Sequence, residues 1–194
     1  SERVVMDESD KQLLELAYSE CERMKALIRD FQRFQSSSSD AKQREDIHAI
    51  LDNVLFFYKK HFENNSIELR KYYQDDVPLL TVSKNQIAQV FLNLILNAVD
   101  AMKKDGGTLE VSTRCVGDEV HVYLKDSGTG IVEKEKDLIF EPFYTTKSEI
   151  QGSGLGLSVS YGIIAGHGGK ISVDSTVNEG STFTVRLPVN PFKN

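Results

Sequence analysis

The stretch Ser83-Lys-Asn-Gln-Ile-Ala-Gln-Val-Phe-Leu-Asn93-Leu-Ile-Leu-Asn97-Ala-Val-Asp-Ala-Met-Lys-Lys104 decides the fold. Ser83 and Gln86 stand at capping-box spacing, which opens a helix, and Gly106-Gly107 closes it. Ile87, Val90, Phe91, Leu94, Ile95, Ala98 and Met102 form one apolar face, and Leu92, Leu96 and Val99 add apolar surface elsewhere. A helix this apolar is buried on most sides. Gln89, Asn93, Asn97 and Asp100 nevertheless line up along it at i, i+4, i+8 and i+11. Buried polar groups are costly without partners. The stripe is therefore a hydrogen-bonded seam, a side turned to water, or the wall of a ligand cavity.

Working outward, a second amphipathic helix carries Ile47, Ile50, Leu51, Val54, Leu55, Tyr58 and Phe62 on one face and ends at Asn64-Asn65. Ile67 to Tyr73 and Leu79 to Val82 read as strands. Downstream, Thr108–Val116 and Glu119–Lys125 alternate as a hairpin across Gly117-Asp118. Residues 126 to 154 are irregular and glycine-rich. A helix from about Ser153 to His167 stops at Gly168-Gly169, and Lys170–Ser175 and Ser181–Val189 are the last strands. Helices and strands interleave, so the class is α/β.

Residues 7 to 35 form one more predicted helix, with a coiled-coil-like seam at Leu14, Ala17, Cys21, Met24, Ile28 and Phe31, widened by Leu13, Leu16, Leu27 and Phe34. An isolated helix cannot bury such a face, so it calls for a partner helix or a second copy. Ser36 to Ser39 breaks the pattern and polar Asp40 to Asp46 reads as linker. The organisation is a helical appendage over 1–38 and one domain over 39–194.

The 194 residues are 40% hydrophobic and 27% charged, with net charge −6. There is no basic stripe, so nucleic acid is not an expected partner. An acidic chain that binds a polyphosphate needs a cation, a helix N-terminus or backbone N–H groups at the site. No apolar run approaches the roughly 20 residues of a membrane span. No signal peptide or initiator Met is present. The expectation is a cytoplasmic piece of a longer protein, for which a membrane tether stays open. Cys21 and Cys115 have no metal-ligand spacing and read as reduced structural thiols.

Two glycine-rich turns carry the chemistry. Asp126-Ser-Gly-Thr-Gly130-Ile131 follows a strand, where glycines permit close approach of a ligand to backbone and a carboxylate can accept from an amino group. Gly152-Ser-Gly154-Leu-Gly156-Leu157 opens a helix and offers N–H groups to a phosphate. It lacks the Lys-Ser/Thr of a P-loop.

Taken in order, these pieces resemble the ATP-binding catalytic region of two-component sensor histidine kinases. Asn93-Leu-Ile-Leu-Asn97-Ala98 is similar to that family's N box, and Asp126–Gly130 to its first glycine box. Ile139-Phe-Glu-Pro-Phe143-Tyr-Thr-Thr-Lys147 resembles the F box, Gly152–Leu157 the second glycine box, and Gly180-Ser-Thr182-Phe183 the terminal motif. Glu22 to Phe31 resembles the second helix of the dimerisation and phosphoacceptor hairpin. The superfamily also holds gyrase, Hsp90 and mismatch-repair ATPases, which place a Glu base where this chain has Asn93. An amide takes no proton, which favours transfer over hydrolysis.

The resemblance implies a two-layer α/β sandwich, a mixed and mostly antiparallel sheet covered on one face by helices. ATP would sit between the helix 83–104 and a lid over 141–153, of which 144–153 offer little apolar surface to anchor the backbone and are expected to be mobile. Asp126 would hold the adenine amino group, with Thr182 supporting it through water, and Gly128, Gly130 and Ile131 would lie against the base. Asn97 would ligate Mg2+, with Asn93 and Asp100 on the same wall. Gly152, Ser153, Gly154, Leu155, Gly156 and Leu157 would cradle the phosphates, and Lys147 would meet the γ-phosphate. Phe140 and Phe143 would pack the lid. Implied partners are the acceptor-histidine helix of the parent kinase, a response-regulator receiver domain and a second protomer. His48, His61, His121 and His167 lack the acidic neighbour of an acceptor, so each is assigned a structural or surface role. A stand-alone ATPase, a non-catalytic nucleotide-binding module and an anti-sigma-type serine kinase are the alternatives. Steady turnover without acceptor would mark the first and failure to bind ATP the second. The helix 7–35 is foreign to the third.

Overall fold

A computed structural model describes residues 10, 11, 13, 14, 16–18, 41–145 and 154–190. The described N-terminal residues are helical, and Leu13, Leu14 and Leu16 are 62%, 62% and 60% exposed. The rest of the predicted helix 7–35, Cys21, the serine run, and Lys147, Gly152 and Ser153 lie outside the described residues.

A five-stranded sheet forms the body. Its strands are β2 (Ile67–Tyr73), β4 (Gly107–Val116), β5 (Glu119–Asp126), β6 (Lys170–Thr176) and β7 (Gly180–Pro188), in the order β2-β4-β5-β7-β6. Only β2 and β4 are parallel; the other neighbours run antiparallel. A separate ladder joins β1 (Gln43–Glu45) to β3 (Leu80–Val82). The helices are α1 (Ile47–Phe57), α2 (Lys59–Asn64), α3 (Lys84–Met102) and α4 (Gly156–Gly166).

Alternation along the strands builds the core. Register places Val111, Leu124, Phe183 and Val173 in one row and Thr113, Val122, Val185 and Ile171 in the next. These rows face α3, whose Ile87, Val90, Phe91, Leu94, Ile95, Ala98, Val99 and Met102 are all buried. The opposite face carries His121, Tyr123, Thr182 and Arg186, and among the described residues helices cover one side of the sheet. Fully burying each large apolar side chain contributes roughly 1.5–3 kcal/mol, which makes this layer the main stabilising term.

Two expectations need correction. Residues 43–45 are not linker: Gln43, Arg44 and Glu45 pair with Val82, Thr81 and Leu80. Their side chains are mostly exposed, so the strand is held by backbone bonds and leaves no apolar alternation to read. The helix expected over 47–64 is interrupted at Tyr58, where ψ is 6°. Phe56-Phe57-Tyr58 is a run of poor helix formers, and Phe56 and Phe57 face solvent. Phe62 still reaches the core beyond the break.

His167 joins the two helices of the site. It caps α4, and its buried ring accepts a hydrogen bond at Nε2 from the Ser83 N–H at 3.0 Å, at the start of α3. Its Nδ1 lies 2.8 Å from the Ile163 carbonyl, which fixes the proton on Nδ1. The ring is a neutral clasp between the two helices. Burial holds its pKa below the ordinary histidine value. The unfolded chain then binds the proton more readily, so the stabilisation is fully present above pH ~6.5 and is lost as pH falls below it. Thermal denaturation of the native chain should therefore show a falling midpoint below that pH, and His167→Gln should show a smaller fall.

Candidate functional site

The polar stripe of α3 is the first wall. Gln89, Asn93 and Asn97 are half-buried and Asp100 is exposed. The seam is thus open to one side.

The second wall is the end of β5. Register sets Asp126 opposite Ser181 and Ser181 opposite Ser175, all on the core face of the sheet. Asp126 is buried, and its Oδ1 accepts from the Gly128 N–H at 2.9 Å and the Ser181 N–H at 3.3 Å. Burial pushes its carboxyl up, and the two amides pull it part of the way back. Among the described residues, no hydrogen bond to Oδ2 is found.

The first glycine turn is clamped from both sides. The Thr129 N–H donates to the Ala101 carbonyl of α3 at 3.2 Å, and the Asn178 N–H of the β6–β7 turn donates to the Thr129 carbonyl at 2.8 Å. A methyl on Gly128 would lie 2.7 Å from the Ala101 Cβ. Gly130 has φ +68°, and a methyl there would run into the Thr176 carbonyl. The Ile131 N–H is fixed by Ser175 Oγ at 2.8 Å, and that hydroxyl also lies 3.0 Å from Ser181 Oγ.

The third wall is the start of α4, where no side-chain cap is found among the described residues; the first-turn amides of a helix have no partner within the helix itself. Asn93 reaches it directly. The Asn93 Nδ2 donates to the Gly156 carbonyl at 3.0 Å and to Ser160 Oγ at 3.2 Å, and Ser160 Oγ donates to the same carbonyl at 2.8 Å. Where the second glycine segment begins, the Phe143 N–H donates to the Gly154 carbonyl at 3.0 Å. Gly154 has φ +68°, with the Phe143 backbone where a side chain would go.

Residues 82–191 match the family described as histidine kinase-, DNA gyrase B- and HSP90-like ATPase. The chain belongs to this family. It is 34% identical over 179 residues to the sensor histidine kinase ZraS of Escherichia coli strain K12, which covers 92% of this chain and 38% of ZraS. It spans well under half the length of the curated relatives it matches. The nucleotide-free catalytic domain of histidine kinase ThkA superposes with a TM-score of 0.70 at 29% identity, over 79% of this chain and 99% of that one. ThkA in complex with the response regulator TrrA gives 0.76 at 23% identity, over 98% of this chain and 55% of that one, a likeness of fold alone.

The structure brings together Asn93, Gly154, Leu155, Gly156 and Leu157 on one side and Asp126, Gly128, Gly130 and Ile131 on the other, with α3 between them. It does not bring Thr182 to this family's site. Thr182 pairs with Lys125, one residue out of phase with Asp126, and so projects from the opposite face of the sheet. Ser181 holds the place expected of it. Period-two counting from Asp126 along the β5–β7 pair would have found Ser181, and Ser175 after it. Ala101 and Ser160 carry no such signal, since small residues on helices read as filler. Asn93, expected to line the phosphate side, spends its amide on holding α4. Phe140 packs against the core and lies 6.0 Å from the Tyr161 ring, whereas Phe143 is 70% exposed.

Asn93→Ala and Ser160→Ala should each cost about 1 kcal/mol in denaturant unfolding. Because both side chains act on Gly156, the double variant should lose less than the sum of the two.

Proposed function

We propose that this chain is the ATP-binding kinase region of a sensor histidine kinase, moving the γ-phosphoryl group of ATP to a histidine on a helix outside residues 39–194. The clamped turn beside buried Asp126 is the observation that carries the reading. A fixed carboxylate acceptor next to two glycines suits the amino edge of a purine, and the uncapped start of α4 suits phosphates. Ser181, which shares the face of Asp126, would support it through water in place of Thr182. Residues 1–38 are read as the second helix of a dimerisation hairpin.

Mg2+ fits the donor set in a limited way. Among the described residues no cluster of His, Cys, Asp or Glu could hold a metal by itself. Mg2+ commonly takes one or two protein oxygens and draws the rest from phosphates and water, so the side-chain oxygen of Asn97 is a sufficient protein ligand. When bound, the ion neutralises phosphate charge. The chain's own part is positioning: Asp126 holds the base, the α4 amides hold the phosphates, and α3 sets the distance between them. An incoming imidazole nitrogen then forms the N–P bond, the bond from the γ-phosphorus to the bridging oxygen breaks, ADP leaves, and the imidazole proton passes to solvent. A receiver-domain aspartate takes the phosphoryl group next, in keeping with the ThkA–TrrA complex.

Transfer rather than hydrolysis follows from Asn93, an amide that cannot take a proton from water. The acceptor is not among this chain's histidines. His48 is bonded to Thr113 at 2.8 Å and stacked on Tyr73, and His121 lies between Tyr123 and Glu119. His167 is the clasp already described. His61 is exposed on α2 and lacks an acidic neighbour. It lines a groove of about 540 Å³ with Phe57, Ala88, Gln89 and Leu92, one helical turn from Asn93. That groove is the apolar surface on which an acceptor helix would rest.

Calorimetry should find Mg-ATP binding that weakens about tenfold in Asp126→Asn, equivalent to the loss of one charged hydrogen bond, and weakens also in Asn97→Ala. Unchanged affinity in both variants would overturn the site. With γ-labelled ATP, the chain alone should stay unlabelled. A separately supplied acceptor hairpin from the parent kinase should gain acid-labile label, and Asn97→Ala should abolish it. Steady release of phosphate without acceptor would mark a stand-alone ATPase instead.

A further inference from the structure

Among the described residues the sheet ends at β6, which pairs with β7 alone. Its outer edge therefore presents N–H and C=O groups at alternate residues, with no ladder partner among the described residues. Natural edges are commonly blunted by shortness, proline or a bulge. β6 has seven residues, no proline, and unbroken register with β7 from Lys170 to Thr176.

A groove of about 640 Å³ runs beside this edge. The consecutive residues Ile171, Ser172, Val173 and Asp174 all line it. Consecutive strand residues point to opposite faces, so the wall they share is the edge of the strand itself. The facing wall comes from residues 133–141, between the first glycine turn and Phe143. Its floor includes Phe140 and the 54%-exposed ring of Tyr161. Its rim is acidic: Asp137, Glu141 and Asp174 are exposed. Lys136 is the one cation among the lining residues described, and it is tied to Glu133.

We propose that this groove takes an extended polypeptide segment with lysine or arginine at alternating positions, which adds to the sheet as a strand alongside β6. The guest backbone completes the ladder. Its basic side chains meet the acidic rim, and the intervening side chains lie on Phe140 and Tyr161. A second copy of this chain is the wrong occupant, because pairing β6 with β6 would set two acidic rims against each other.

The probes are a seven-residue peptide alternating lysine and valine and its counterpart alternating glutamate and valine, titrated into the chain with amide NMR as readout. The lysine peptide should shift the amide signals of Lys170–Thr176 and slow their exchange, and the glutamate peptide should not. Asp137→Lys with Asp174→Lys should weaken the lysine peptide about tenfold while ATP still binds. Equal binding of the two peptides, shifts confined to residues away from β6, or concentration-dependent protection of β6 without any peptide would overturn the proposal.

Discussion

The register of β5 against β7 governs the rest of the site. It sets Asp126 beside Ser181 and fixes one carboxylate oxygen on two backbone amides. Once that pair is set, the chain leaving β5 must turn in the gap between Ala101 of α3 and Thr176 of β6. Only backbone fits in that gap, which is why the turn carries glycine at 128 and 130. A one-residue slip of β5 would put Asp126 on the polar face of the sheet, and a slip of β7 would instead turn Thr182 into the core. The buried rows Val111–Leu124–Phe183 and Val122–Val185–Ile171 oppose that slip, so the packing of the core is also what aims the carboxylate.

α3 ties the two glycine segments into one object. Its C-terminal end accepts from Thr129, its middle donates through Asn93 to Gly156, and its start donates through Ser83 to His167 at the end of α4. A displacement of α4 would therefore break bonds at both of its ends. The two segments that would contact base and phosphates are held at a spacing set by one helix, and a ligand spanning them would meet a site already at its working width.

Much of this was legible in the residues. The 3.6-residue period of 84–102 and the alternation of 107–126 were strong because both elements bury one face, and Asp126 with its glycines was visible because a φ near +70° and close backbone contact leave few residue choices. Other parts were hidden for physical reasons. β1 is held by backbone bonds with its side chains in water, so it has no pattern. Ser181 and Thr182 are both small hydroxyl residues, and only the pairing partner across β5 tells their two faces apart. The role of Asn93 was hidden because its partners, Gly156 and Ser160, lie more than sixty residues away and are joined to it by tertiary packing alone.

The Phe143–Gly154 hydrogen bond has one more consequence. It brings the chain back to the place it left, with Phe143 itself at φ +67° and Gly154 packed on its backbone. Residues 143 and 154 therefore form one joint: a methyl at Gly154 would strike the Phe143 backbone, and a β-branched residue at 143 would strain the left-handed backbone there, so a change at either position is felt at the other.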